Sequence, residues 1–285
     1  MKQVVIVGVG LIGGSLAKDL RRLYPELQIL GIDKNPDHIT EAKALGLIDA
    51  ETALDQIQVA DLVILAIPVH ATAAMLSEVL DHVGDGTLVV DMGSTKALIC
   101  EGVATHKNRR NYLAMHPIAG TEYSGPSAAI SDLFKGKTNI ICEIEKTSLP
   151  LQEKGLELCR ELGMRIRYMD PQAHDKHLAY VSHLSHVSSF MLGKTVMDIE
   201  QNERDIFDLA GSGFESTVRL AKSNPNMWAP IFSVNRQHLL DSLTAYMDNL
   251  EAFKALLQAD DEPGMHKEMT AINSIEHILN VIKKN

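Results

Sequence analysis

The chain has 285 residues, 45% of them hydrophobic and 5% aromatic, and a formal net charge of −10. That length can bury a sizeable core and divide into two domains, while the negative balance argues against nucleic acid as a partner, because neutralising phosphates needs a basic surface. Three cysteines at unrelated spacings, Cys100, Cys142 and Cys159, make neither a disulfide framework nor a zinc site and fit a reducing cytosol.

In chain order, runs at 3–7, 28–32, 62–67, 87–91, 112–115, 139–144 and 165–169 read as strands, with helical stretches at 13–23, 36–45, 71–83 and 150–162. Continuous apolar strands alternating with helices predict an α/β fold, a doubly wound and mostly parallel Rossmann sheet. The longest apolar run, 62–69, is strand-sized and far short of the roughly 18 residues of a membrane span. Met1-Lys2-Gln3 leads straight into the first strand, so no secretory leader is expected and the protein reads as soluble and cytoplasmic. After Asp170-Pro171 the pattern turns helical, with blocks at 173–197, 205–209, 215–222, 226–259 and 263–282. The expected division is a dinucleotide-binding domain at 1–170 and an all-helical domain at 171–285. The long helix of the second has few neighbours in its own chain, which predicts a homodimer formed through the helical domain.

Val4-Val5-Ile6-Val7 runs into Gly8-Val9-Gly10-Leu11-Ile12-Gly13, a G-x-G-x-x-G between a strand and a helix. Gly8 permits the tight turn, Gly10 lets the backbone approach a pyrophosphate, and Gly13 lets helix and strand pack closely. The main chain at Leu11 and Ile12 opens the helix whose N-terminus receives the phosphates. Asp33, twenty residues past Gly13 at the end of the second strand, is placed to bond ribose hydroxyls and to repel a 2′-phosphate, so NAD is the expected cofactor.

In an open α/β sheet, chemistry gathers beyond the carboxyl ends of the strands. Three such ends carry unusual residues: Ile67-Pro68-Val69-His70, Asp91-Met92-Gly93-Ser94-Thr95-Lys96, and Met115-His116-Pro117-Ile118-Ala119-Gly120-Thr121-Glu122. Ile67, Pro68 and Ser94 are expected beside the nicotinamide. His is suited to accepting a proton near neutral pH, which leaves His116 open to two roles, a proton acceptor or a loop histidine capping backbone groups. Histidines three apart, His174 with His177 and His183 with His186, carry a metal-like spacing, but no Cys or carboxylate completes a tetrahedral set, and no metal is expected.

D-x-G-S-x-K followed by H-P-x-A-G-T-E resembles the prephenate dehydrogenase family. The resemblance continues through His174-Asp175, Val181-Ser182-His183-Leu184-Ser185-His186, Gly211-Ser212-Gly213-Phe214 and Arg219-Leu220-Ala221-Lys222-Ser223-Asn224-Pro225-Asn226-Met227-Trp228. It implies NAD-dependent oxidative decarboxylation of prephenate to 4-hydroxyphenylpyruvate, with arogenate as the alternative substrate. It also implies that Ser94 hydrogen-bonds His116 and fixes its tautomer. Arg219 would grip a substrate carboxylate, with Ser182, His183 and His186 lining the far end of the site. Thr121 belongs to the same motif, and Glu122 would form a gating ion pair. Trp228 is open to either packing or substrate contact, His174 and His177 are open to helix packing, and Lys96 is open either to complementing charge near the cofactor or to a surface position. Family members often read G-F-R-D before this arginine, where the chain has Gly213-Phe214-Glu215-Ser216, a change in the neighbourhood of Arg219. Two other readings remain at this point: a β-hydroxyacid-dehydrogenase-like reductase, which the H-P-x-A-G-T-E histidine argues against, and a non-catalytic NAD sensor.

Overall fold

The computed structural model describes residues 1–200 and 205–283. Eight strands form one sheet: β1 (Gln3–Val7), β2 (Gln28–Ile32), β3 (Ala50–Glu51), β4 (Leu62–Leu65), β5 (Leu88–Asp91), β6 (Tyr112–Pro117), β7 (Thr138–Cys142) and β8 (Arg165–Tyr168). Their order is β3-β2-β1-β4-β5-β6-β7-β8. Every neighbouring pair is parallel except β6 and β7, which run antiparallel with Ala114 opposite Cys142. Helices α1 (Leu11–Leu23), α2 (Pro36–Ala44), α3 (Val69–His82), α4 (Ala97–Gly102) and α5 (Leu149–Glu161) connect them.

Side-chain alternation along the strands builds a core on each face. Val4, Ile6 and Ile29 pack with Leu16 and Leu20 of α1 and Leu151 and Leu158 of α5. Val5, Val7 and Val63 point the other way, onto Leu76, Val79 and Leu80 of α3 and Ile99 of α4. Each fully buried aliphatic side chain contributes about 1.5–3 kcal/mol relative to exposure, so the strands buried on both faces, as in a parallel sheet, dominate this part of the molecule.

Beyond the sheet come α6 (Pro171–Leu178), a π-helical turn (Ala179–His183), α7 (Leu184–Glu200), α8 (Ser212–Val218), α9 (Pro225–Val234), α10 (Arg236–Gln258), α11 (Glu262–Ile272) and α12 (Ile275–Lys283). Asp170 starts α6 by accepting from Gln172 N at 2.9 Å and Ala173 N at 3.0 Å, with Pro171 at the first position where its missing N–H costs nothing. By contacts the chain forms two compact units, Met1–Asn235 and Arg236–Asn285.

The α/β class with a mostly parallel sheet and helical C-terminal part is as expected, and several details differ. Two-residue β3 has no period to read. The helix expected over 173–197 is interrupted by the π-helical turn, and the one expected over 226–259 breaks at Asn235. Asn235 leaves the helix because its side chain donates to the Asp175 carbonyl at 2.7 Å and sits 3.1 Å from His183 Nδ1. The block expected over 263–282 breaks between α11 and α12. Among the described residues, no helix is long and apolar enough to cross a membrane.

Candidate active site

Register places the ends of four strands side by side. Val7 pairs with Leu65, Leu65 with Asp91, and Asp91 with Ala114. The glycine loop after β1, Ile67 and Pro68 after β4, Ser94 after β5 and His116 at the end of β6 therefore share one edge of the sheet.

Gly8 has φ +91°, and a Cβ there would lie 2.5 Å from Ala66 O. A Cβ on Gly13 would lie 2.0 Å from Gly8 O and 2.8 Å from Ile6 Cγ2. Both positions need glycine for the protein's own packing. Gly10 differs: a Cβ there would project into open space, with Gly125 N at 3.9 Å as its nearest neighbour. Gly10 precedes α1 without any side-chain cap, and Leu11 and Ile12 are half-buried, so the first N–H groups of a thirteen-residue helix face this space. Asp33 Oδ2 accepts from Val9 N at 3.1 Å and Oδ1 from Asn35 N at 2.9 Å, which holds the carboxylate at the rim of the loop. An open cradle, free helix donors and a fixed acid together fit a dinucleotide pyrophosphate and ribose.

Behind β5 lies a buried charge cluster. Asp91 Oδ2 pairs with Lys96 Nζ and accepts from Gly93 N at 2.9 Å, while Oδ1 accepts from the Tyr112 hydroxyl at 2.6 Å. Asp91 and Lys96 are wholly buried, which places Lys96 in the core and not on the surface. Burial first, and the Asp91 charge second, push the Tyr112 phenol well above its ordinary value.

His116 is buried, and its Nδ1 lies 2.8 Å from His174 Nε2. His174 Nδ1 in turn lies 2.7 Å from Asp175 Oδ1. Asp175 also accepts from Lys96 N at 2.7 Å and Ala97 N at 2.9 Å. Burial, then the neighbouring His174, Lys96 and His183, hold His116 well below the usual imidazole range, so it is a neutral ring at neutral pH. Among the described residues Ser94 makes no hydrogen bond to His116. The implied Ser94–His116 pairing is therefore not formed here; His174 meets Nδ1 of His116, a role beyond the packing open to it from sequence. His177, by contrast, is exposed.

A second group forms around Trp228. His186 stacks on its indole with ring centroids 3.4 Å apart and planes 24° apart, and His183 meets it edge-on at 6.0 Å. The π-helical turn carries His183 inward, while Ser182 spends its carbonyl on His186 Nδ1 at 2.9 Å. Burial lowers His183 to about 4 and also lowers His186, whose protonation the charge of Arg219 further disfavours. Among the described residues, His183 Nε2 and Trp228 Nε1 are buried with no hydrogen-bond partner. Arg219, on a short turn after α8, is exposed and makes no hydrogen bond or ion pair among the described residues. Thr121 is half-buried and accepts from Tyr123 N at 3.3 Å. Glu122 is exposed and in no ion pair among the described residues, so the implied gating pair is not formed here. His174, Asp175 and Asn235 complete the site without having been assigned a role from sequence; only the His174-Asp175 dipeptide offered a signal.

Residues 16–168 match a family model described as the nucleotide-binding domain of prephenate dehydrogenase, and residues 170–271 one described as its dimerization domain. The chain is similar to a prephenate dehydrogenase of Bacillus subtilis, 29% identical over 269 residues that span 93% of this chain and 72% of that one. A crystal structure of prephenate dehydrogenase from Aquifex aeolicus, in complex with hydroxyphenyl propionate and NAD+, superposes with a TM-score of 0.87 at 30% identity and covers 98% of both chains. Synechocystis arogenate dehydrogenase superposes with a TM-score of 0.78 at 26% identity, covering 97% of this chain and 99% of that one.

Proposed function

The chain belongs to the prephenate dehydrogenase family, and from that premise we propose that it converts prephenate to 4-hydroxyphenylpyruvate by NAD-dependent oxidative decarboxylation. The observation that carries the reading is a neutral, buried His116 at the end of β6, on the same sheet edge as the uncapped glycine loop. Bound NAD supplies the acceptor for the hydride that leaves the hydroxyl-bearing ring carbon. Gly8, Gly10, Leu11, Ile12, Gly13 and Asp33 hold the dinucleotide, with Ile67, Pro68 and Ser94 beside its reactive end.

His116 accepts a hydrogen bond from the ring hydroxyl and draws off its proton as the hydride departs. Electrons from the ring's bond to its carboxylate then complete the aromatic system as CO2 leaves, and the proton returns from His116 to the ring oxygen to give the phenol. Arg219 offers a planar fork for a carboxylate. The free nitrogens of His183 and Trp228 offer two further polar contacts, with His186 stacked on Trp228, and we assign Ser182, Thr121 and Glu122 to the same substrate pocket. We place the functional division at 170/171, where Asp170 caps α6 and the two family matches meet. The helical part carries exposed Met247, Leu250, Leu257, Met269, Ile272 and Ile275, a surface suited to a homodimer. The cytoplasm is the proposed location.

The test is NADH formation by absorbance with prephenate and arogenate offered in parallel, the second because the Synechocystis neighbour is described as an arogenate dehydrogenase. Turnover of either identifies the reaction and the preferred side chain. Silence with both, in protein that binds NAD, overturns the assignment. His116→Asn should keep NAD binding and lose about 10²–10⁴-fold in kcat.

A further inference from the structure

Which nitrogen of His116 carries the proton is decided by what stands behind the ring. A carboxylate has no proton to give, so Asp175 Oδ1, 2.7 Å from His174 Nδ1, accepts from that nitrogen. With that nitrogen carrying the single proton of the His174 ring, Nε2 is bare, and its neighbour 2.8 Å away, Nδ1 of His116, is the donor. A neutral His116 with its single proton on Nδ1 presents Nε2 bare. We propose that Asp175 and His174 are positioning residues, a buried relay that holds His116 in the tautomer able to accept the proton of the substrate hydroxyl. This inference rests on His116 being the acceptor.

The relay is anchored at its far end. Asp175 Oδ1 also accepts from Lys96 N and Oδ2 from Ala97 N, so the carboxylate cannot swing away from His174. Asn235 donates to the Asp175 main-chain carbonyl, which ties down the turn of α6 that carries both residues. His174 and Asp175 are 0% and 3% exposed, so water does not compete for these bonds. When the substrate proton arrives at His116 Nε2, the Nδ1 proton stays bonded to His174, and the positive ring is stabilised by the carboxylate one residue further back. No proton needs to reach Asp175.

Asp175→Asn replaces an obligate acceptor with a group that can donate. Its NH2 faces either Ala97 N or Lys96 N, both of which donate to the carboxylate in the wild type, so the anchor of the relay is lost along with the negative charge that stabilises a protonated His116. The expected result is a kcat about 10²–10⁴-fold lower, with NAD affinity and the KM for prephenate little changed. His174→Phe, which fills the space without a ring nitrogen, should lose a similar factor. His174→Gln can accept from His116 Nδ1 and donate to Asp175, and should recover about tenfold or more of that loss. Nitrogen-15 NMR of the imidazoles reads the tautomer without turnover: Nδ1 protonated and Nε2 bare on His116 in the wild type. A wild-type spectrum with the proton on Nε2 overturns the relay, as does wild-type kcat in folded Asp175→Asn or His174→Phe. An inactive His116→Asn beside a fully active Asp175→Asn removes the relay and leaves the acceptor standing. An active His116→Asn removes the acceptor, and the spectrum still decides the tautomer.

Discussion

Lys96→Met removes the positive partner from the buried cluster behind β5 and leaves Asp91 with hydrogen bonds but no counter-charge. Both side chains of the pair are 0% exposed. Methionine nearly matches lysine in volume, so the cost is electrostatic and no large cavity opens. Breaking a buried pair by deleting one partner costs about 3–5 kcal/mol. Asp91 keeps the Tyr112 hydroxyl at 2.6 Å and Gly93 N at 2.9 Å, which puts the loss at the lower end, about 3 kcal/mol. Urea unfolding followed by circular dichroism should show the midpoint falling by about 1 M at a slope of about 3 kcal/mol per molar. Asp91→Asn with Lys96→Met removes both charges and should recover most of the loss. A single-variant cost below about 1 kcal/mol, the range of a solvent-screened pair, would refute the argument that this pair is dry.

Gly10→Ala and Gly13→Ala separate the cradle's two requirements. The Gly10 Cβ meets nothing closer than Gly125 N at 3.9 Å, so thermal stability should hold while calorimetry shows NAD affinity falling about tenfold or more. Gly13→Ala, with its Cβ 2.0 Å from Gly8 O, should lower both; a Gly13 variant with wild-type melting would contradict the close helix–strand packing. Asp33→Ser should lower NAD affinity by about 10–100-fold and raise the ratio of NADP to NAD turnover, and an unchanged ratio would move cofactor selection elsewhere. His183 titrates near 4 in the folded protein against 6.5 unfolded, so the unfolded chain binds the extra proton between those values. Stability should therefore rise with pH across that window and be lost as pH falls from about 6.5 to about 4, by about 3 kcal/mol from this residue. His183→Gln should flatten the urea midpoint over the same range, and an unaltered pH profile would count against His183 being neutral when folded.

The parts of this protein legible from sequence are those set by local rules. A strand followed by Gly8-Val9-Gly10-Leu11-Ile12-Gly13 needs only turn geometry to be recognised, and the apolar runs of β1, β4, β5 and β6 need only their composition. Contacts made across the chain leave no such mark. His116 and His174 are 58 positions apart, and nothing in either segment says that their rings touch. Ser94, on a neighbouring strand end, is the partner that the family resemblance implies, and the helix that follows β8 delivers His174 to Nδ1 of His116.

The misread helices make the same point from the other side. Continuous periodicity over 173–197 and 226–259 predicts two unbroken helices, and the chain departs from them at the π-helical turn and at Asn235. Each departure puts a side chain where regular helix would not: the first turns His183 inward, and the second frees Asn235 to bond both His183 and the Asp175 carbonyl. π-turns inside helices are rare and concentrate at functional sites, and local rules are expected to fail where chemistry imposes a geometry that propensity does not favour. Asn235→Ala therefore carries a definite expectation. It lets helix propensity close the break, leaves the Asp175 carbonyl and His183 Nδ1 without their donor, and should lower kcat while α-helical content by circular dichroism stays constant or rises. Lowered helical content with unchanged kcat would mean that the break serves the fold and not the site.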